Sequence, residues 1–161
     1  MRIWIDADAC PKPVKAFVFK ACRRLQVPAT LVANSSMEIP RSPLFNLVVV
    51  GRALDEADRY IAAHCAVGDL VVTADIPLAA ILVDQGVVTL DPRGKVFNPD
   101  NVKEALATRN LMQELRESGV MAGGPRPLGN ADHTRFINAF DREITRLQRQ
   151  RPPRVPEAGG P

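Results

Sequence analysis

Residues 68–91 read GDLVVTADIPLAAILVDQGVVTLD. DLVVT (69–73) and GVVTL (86–90) are short, continuous and rich in valine, the composition of strands buried on both faces. IPLAAILVDQ (76–85) between them has the length of a short helix. Strand, helix and strand in succession form the unit of a parallel sheet. Each strand also runs out beside an acid: Asp75 lies two residues past the first, and Asp91 directly follows the second.

The same pattern extends back to the N-terminus. RIWI (2–5) reads as a strand and stops at Asp6, with Asp8 one alanine further on. Val14, Phe17, Val18, Ala21, Cys22 and Leu25 then fall on one face of a helix, with Pro13 tolerated in its first turn. ATLVA (29–33) and NLVVV (46–50) are strands separated by the polar break NSSMEIPRSP, and a helix is expected from near Asp55. At 161 residues the chain suits one domain, and the fold class is α/β with a parallel sheet close to the doubly wound type. Residues 1–95 make the sheet core. Residues 96–149 add two helices, near 100–117 and 132–149, joined by SGVMAGGPRPLGNA; the GGPRPLG part reads as a hinge or lid. Residues 150–161, largely RPPRVPEAGGP, read as a disordered tail.

In a parallel sheet every strand's C-terminal end lies on one edge, where ligands bind. Asp6 and Asp8, Asp55 and Asp58, Asp75, and Asp91 leave four strands toward that edge. Asp69 precedes its strand and belongs to the opposite one. Each acid alone is explained by capping a helix or by solvation. Together they repel one another unless a cation or a shared proton offsets the charge. Oxygen-only ligand sets suit Mg²⁺ or Mn²⁺, and such a cation can activate a water and neutralise a phosphodiester.

Composition removes several other classes. Lys and Arg number 21 against 18 Asp and Glu, too even to declare a nucleic-acid partner by itself. Two histidines and three cysteines without CxxC spacing fit neither a zinc site nor a disulfide framework. Cys22 and Cys65 read as buried thiols. A phosphatase loop starting at Cys10 would need arginine where Ala16 stands. No apolar run approaches the ~20 residues of a membrane span. Asp6 and Asp8 break the one early apolar run that a signal peptide would need, so the cytoplasm is the expected location.

WIDADACP, DEADRYI, GDLVVTADIPLA, RNLMQELRESG and GGPRPLG, spread over residues 2–147, resemble the YaiI/YqxD family of uncharacterised bacterial proteins. That family is grouped with PIN-like domains, small α/β nucleases that cut RNA with Mg²⁺ or Mn²⁺ at clustered acids. The resemblance implies that Asp6 is the acid ending the first strand and Asp75 the acid opening the helix after the fourth. It further implies that Asp58 is the helix acid and Asp91 the later acid on the next strand's exit. Asp6, Asp58 and Asp75 become the expected catalytic set, with Asp8 and Asp91 as further metal ligands. The RNLMQELRESG and GGPRPLG unit is the family's own.

A nuclease needs positive or polar groups beside its acids to hold phosphates. Lys12, Lys15, Asn34, Ser35 and Arg116 are the candidates, chosen from a set that also includes Arg109, Arg126, Arg135, Arg142 and Arg146. With one Trp and one Tyr, a base-stacking platform is thin. RNA or another single-stranded nucleic acid is the expected partner. Two other readings compete. WIDADAC is similar to the DxDx[TV] opening of HAD-type phosphatases, with Asp6 as nucleophile, Asp8 as acid/base and Cys10 where Thr or Val is usual. A catalytically silent RNA- or protein-binding module would keep the acids without the chemistry.

Overall fold

The computed structural model describes residues 1–120, 123–124 and 126–150. The first strand, β1 (Ile3–Asp6), leads through a single 3-10 turn (Ala7–Ala9) into α1 (Lys12–Leu25). Then come β2 (Ala29–Ala33), β3 (Phe45–Val49), α2 (Glu56–His64), β4 (Leu70–Val72), α3 (Ile76–Asp84) and β5 (Val88–Leu90). Two long helices, α4 (Pro99–Glu117) and α5 (Asn130–Gln150), complete the described chain. Gln150 therefore ends a helix, and the tail expected as disordered lies, from residue 151, outside the described residues.

The five strands are all parallel, in the order β3-β2-β1-β4-β5. Side chains alternate between the faces of a strand, and the core divides accordingly. Ile3, Ile5, Leu31, Leu70, Val72 and Leu90 face α1 and α5. Trp4, Val32 and Val71 face α2 and α3. Outside the second layer, α4 packs on α3 through Ala79, Phe97 and Val102.

The α5 helix is part of the main core. Phe136, Phe140, Ile144 and Leu147 recur every three or four residues, so one stripe of the helix faces the sheet. Phe17 of α1 meets the rings of Phe136 and Phe140 edge-on, with centroids 6.0 and 5.5 Å away. Burying each such side chain contributes about 1.5–3 kcal/mol. No helix among the described residues is long and apolar enough to cross a membrane.

The loop after β5 pins α5 in place. Oδ1 of Asp91 accepts the amides of Arg93 and Lys95, each at 2.9 Å, which closes a tight turn. Gly94 in that turn has φ +94° and lies directly on the α5 backbone: a Cβ there would stand 2.5 Å from the carbonyl carbon of Arg135. Neither the dihedral nor the contact tolerates a side chain. Gly94→Ala is expected to cost about 2–4 kcal/mol in a urea-unfolding series; wild-type stability would contradict this docking of α5.

Candidate functional site

Asp6, last residue of β1, follows the strand's alternation and points the same way as Trp4, toward the α2 and α3 layer. The pairing of Ile5 with Val72 sets Thr73 beside it on the neighbouring strand's exit. Thr73 Oγ1 donates to Asp6 Oδ2 at 2.9 Å and accepts the Asp75 amide at 3.0 Å. Thr73 is fully buried and Asp6 is 6% exposed. One hydroxyl thus fixes the exits of β1 and β4 to each other and, among the described residues, leaves the second oxygen of Asp6 unspent.

The other acids arrive from three directions. Asp75 caps α3, its Oδ1 accepting the Leu78 amide at 2.8 Å. Asp58 sits in the first turn of α2, with its carboxyl in hydrogen-bonding reach of Asp75. Oδ2 of Asp8 accepts the Asn34 amide at 2.8 Å and so ties the β1 exit to the β2 exit. It does not cap α1, which begins behind Pro11 without a side-chain cap. Asp55 holds the N-cap position of α2 at φ +66°, yet makes no capping bond. A left-handed Asp is strained but tolerated, and here the strain leaves its carboxyl free to line the site.

These residues enclose a cleft of about 240 Å³. Among its described lining residues, six are acids (Asp6, Asp8, Asp55, Glu56, Asp58 and Asp75) and one, Arg52, is basic. Burial, then the charges of Asp75, Asp6 and Asp55 and the hydrogen bond with Asp75, push Asp58 up to about 7. Burial raises Asp6 as well, with Asp75 and Asp8 adding to it and the Thr73 hydrogen bond opposing it. The donor set suits a hard divalent cation by chemistry and by its unrelieved repulsion. As placed, no three Asp, Glu, His or Cys side chains among the described residues converge to hold a metal ion; Asp58 and Asp75 meet each other instead.

The structure thus brings together Asp6, Asp8, Asn34, Asp58 and Asp75, and leaves the other candidates elsewhere. Asp91 lies in a neighbouring cleft with one oxygen committed to two amides. Lys12 and Lys15 line a separate cleft between α1 and the loop carrying Met37 and Glu38. Ser35 is exposed outside the acidic cleft, and Arg116 is exposed at the far end of α4. The sequence reading passed over Thr73, Arg52 and Glu56; it sent Asp55 to this edge without naming it as a site residue. Thr73 carries no signal of its role in the sequence, because its place beside Asp6 is set by the register of β4 on β1.

Other features are structural. Asp69 does lie at the opposite edge, accepting the Arg2 amide and Trp4 Nε1 through separate oxygens. The thiols of Cys10 and Cys22 are buried and pushed up to about 12 by desolvation, which makes them unreactive. Cys65, expected as buried, is half-buried.

Comparison with known proteins finds similar sequences along nearly the whole chain. The family profile described as "Uncharacterized BCR, YaiI/YqxD family" matches residues 4–146. The chain is similar to a UPF0178 protein of Myxococcus xanthus, 53% identical over 152 residues that span 94% of this chain and 99% of that one. Similar proteins occur in Citrifermentans bemidjiense, 51% identical over 150 residues (93% and 97% of the two chains), and in Geobacter metallireducens, 50% identical over 153 residues (95% and 99%). No solved structure matches the chain.

Asp58 gives the cleft a pH signature. Its folded-state pKa, about 7, lies above its unfolded value, so the folded protein binds that proton more tightly. Stability from this group is therefore full below about pH 4 and is lost as pH rises toward about 7. In EDTA, Asp58→Asn is expected to raise Tm relative to wild type at about pH 7.5 and to change it little at about pH 4.5. An equal shift at both pH values, by differential scanning fluorimetry, would contradict the electrostatic crowding.

Proposed function

The chain belongs to the YaiI/YqxD family, and we propose that it hydrolyses phosphodiester bonds in RNA or another single-stranded nucleic acid, as a PIN-like nuclease dependent on Mg²⁺ or Mn²⁺. One observation carries the reading: six carboxylates crowd a single cleft at the strand-exit edge of a parallel sheet. Such crowding is costly without a counter-charge, and the binding edge of this architecture is where a functional site belongs.

A divalent cation bound there would stabilise charge on the phosphoryl oxygens and lower the pKa of a water. Asp6, Asp58 and Asp75 are the residues to hold it. Asp6 is oriented by Thr73, and Asp75 by its place at the start of α3. Asp58 reaches the same cleft from the first turn of α2. Asp8 and Asn34 brace the loops around them. Arg52 also lines the cleft and offers a positive charge for a phosphate.

A silent binding module is the second reading, favoured by the mutual contact of Asp58 and Asp75 and the lack of a converged three-acid group among the described residues. Calorimetric titration with Mn²⁺ separates the two, because saturable heat supports the nuclease and its absence the module. The phosphatase reading lacks a second motif at the right edge, since Asp69 is spent on Arg2, Trp4 and Ala66.

The direct test is cleavage of a labelled single-stranded RNA with Mn²⁺. Asn caps helices as well as Asp, so Asp75→Asn keeps α3 intact while removing a charge. Its rate is expected to fall by about 100-fold or more. Undiminished cleavage by a folded Asp75→Asn protein would overturn the assignment.

A further inference from the structure

A second cleft, of about 340 Å³, adjoins the first on the same edge of the sheet. Its walls include Ala9 and Ala74, the chain neighbours of Asp8 and Asp75, together with Asp91, Arg93 and Leu128. The loops after β1 and β4 therefore present acids to one cleft and a small apolar shoulder to the other. Both clefts are thus lined from the loops after β1 and β4.

The charge on the far side is opposite in sign. Asp132, 1% exposed at the start of α5, gathers three guanidiniums. Arg93 reaches its Oδ2 at 2.8 Å and Arg126 its Oδ1 at 3.3 Å, with Arg135 also on Oδ1. The Gly129 amide adds a fourth donor at 3.0 Å. That amide first, and then the three arginines, hold Asp132 below the ordinary carboxylate range, so it counts as one negative charge. One carboxylate cannot neutralise three arginines. Around Asp132 three cations meet one anion, an excess of 3 − 1 = +2. Each guanidinium has five donors, and the side chains of Arg126 and Arg135 are 71% and 58% exposed.

We infer that this arginine cluster is a phosphate-binding subsite that anchors a single-stranded nucleic acid as it passes across the loops after β1 and β4 into the acidic cleft. The inference rests on the proposed nucleic-acid substrate and supplies what that reading lacked. A cleft with six acids repels a polyanion, and this cluster offers attraction beside the adjoining cleft, whose wall includes Arg93. Lys12, Lys15 and Arg116 stand elsewhere. Arginine also suits the task, because its fork matches phosphate geometry. Arg126 is the residue to test: it is the most exposed of the three, and its loss leaves Asp132 with two guanidiniums and an amide.

The experiment is fluorescence anisotropy of a labelled oligoribonucleotide of about 12 nucleotides with the full chain in EDTA, where no cation-dependent turnover occurs, across a salt series. Arg126→Gln is expected to weaken binding about 3- to 10-fold and to lower the slope of log K against log salt by about 0.7 per lost phosphate contact. Arg126→Glu should weaken it further, Arg126→Lys should restore most of it, and Arg116→Gln should leave it unchanged. Thermal melts confirm that each variant is folded. Wild-type affinity in both Arg126→Gln and Arg126→Glu would overturn the inference, as would a wild-type protein that does not bind the RNA. The nuclease reading fails separately. If the Arg126 variants lose binding while wild type never cleaves with Mn²⁺, the subsite stands and the chemistry falls. If wild type cleaves and the Arg126 variants bind normally, the reverse holds.

Discussion

Every strand of this sheet runs the same way, so every strand exit falls on one edge. That constraint turns scattered acids into a site. Asp6 and Asp75 are far apart in sequence, and β1 and β4 become neighbours only through the order β3-β2-β1-β4-β5. The Thr73 hydroxyl then converts adjacency into fixed geometry, donating to the Asp6 carboxylate and accepting the Asp75 amide. Buried Asp6 owes its position to this bond, and the loop that starts α3 is held by the same atom.

The strands were legible because buried parallel strands need continuous β-branched runs, and LVV or VTL flanked by helical periodicity has few other readings. The edge was legible for the same reason: an acid directly after such a run can lie at one end only. What could not be read was lateral. Asp91 leaves a strand as Asp75 does, but its loop turns toward α5, where two amides take one of its oxygens. Nothing local in DPRGK reveals that turn, which depends on Gly94 meeting the α5 backbone. Lys12 and Lys15 follow the motif of Asp6 and Asp8, yet the helix they open carries them into another cleft. Thr73 looked like a strand residue because its partner is set by register with β1, which sequence does not display. Asp55 stands at a helix start where a cap is the ordinary reading, and only the structure shows that its side chain makes no capping bond.

The C-terminal helices bear on the same edge. The stripe of Phe136, Phe140, Ile144 and Leu147 sets α5 against the sheet, and its first turn brings Asp132 to Arg93, Arg126 and Arg135. The edge is therefore bipolar, with crowded carboxylates over β1 and β4 and surplus guanidiniums beyond β5. Opposite potentials side by side suit a ligand that carries negative charge and needs a cation at one point along it. A carboxylate cleft without that neighbour would repel such a ligand.

The central claim is that repulsion among Asp6, Asp58 and Asp75 is relieved by a divalent cation, and a crystal soaked in Mn²⁺ near neutral pH tests it most directly. The expected result is an anomalous scattering peak bounded by those three carboxylates, with Asp58 and Asp75 turned from each other onto the ion. A cleft without a peak, in which Asp58 and Asp75 still face each other while manganese binds elsewhere, would contradict it.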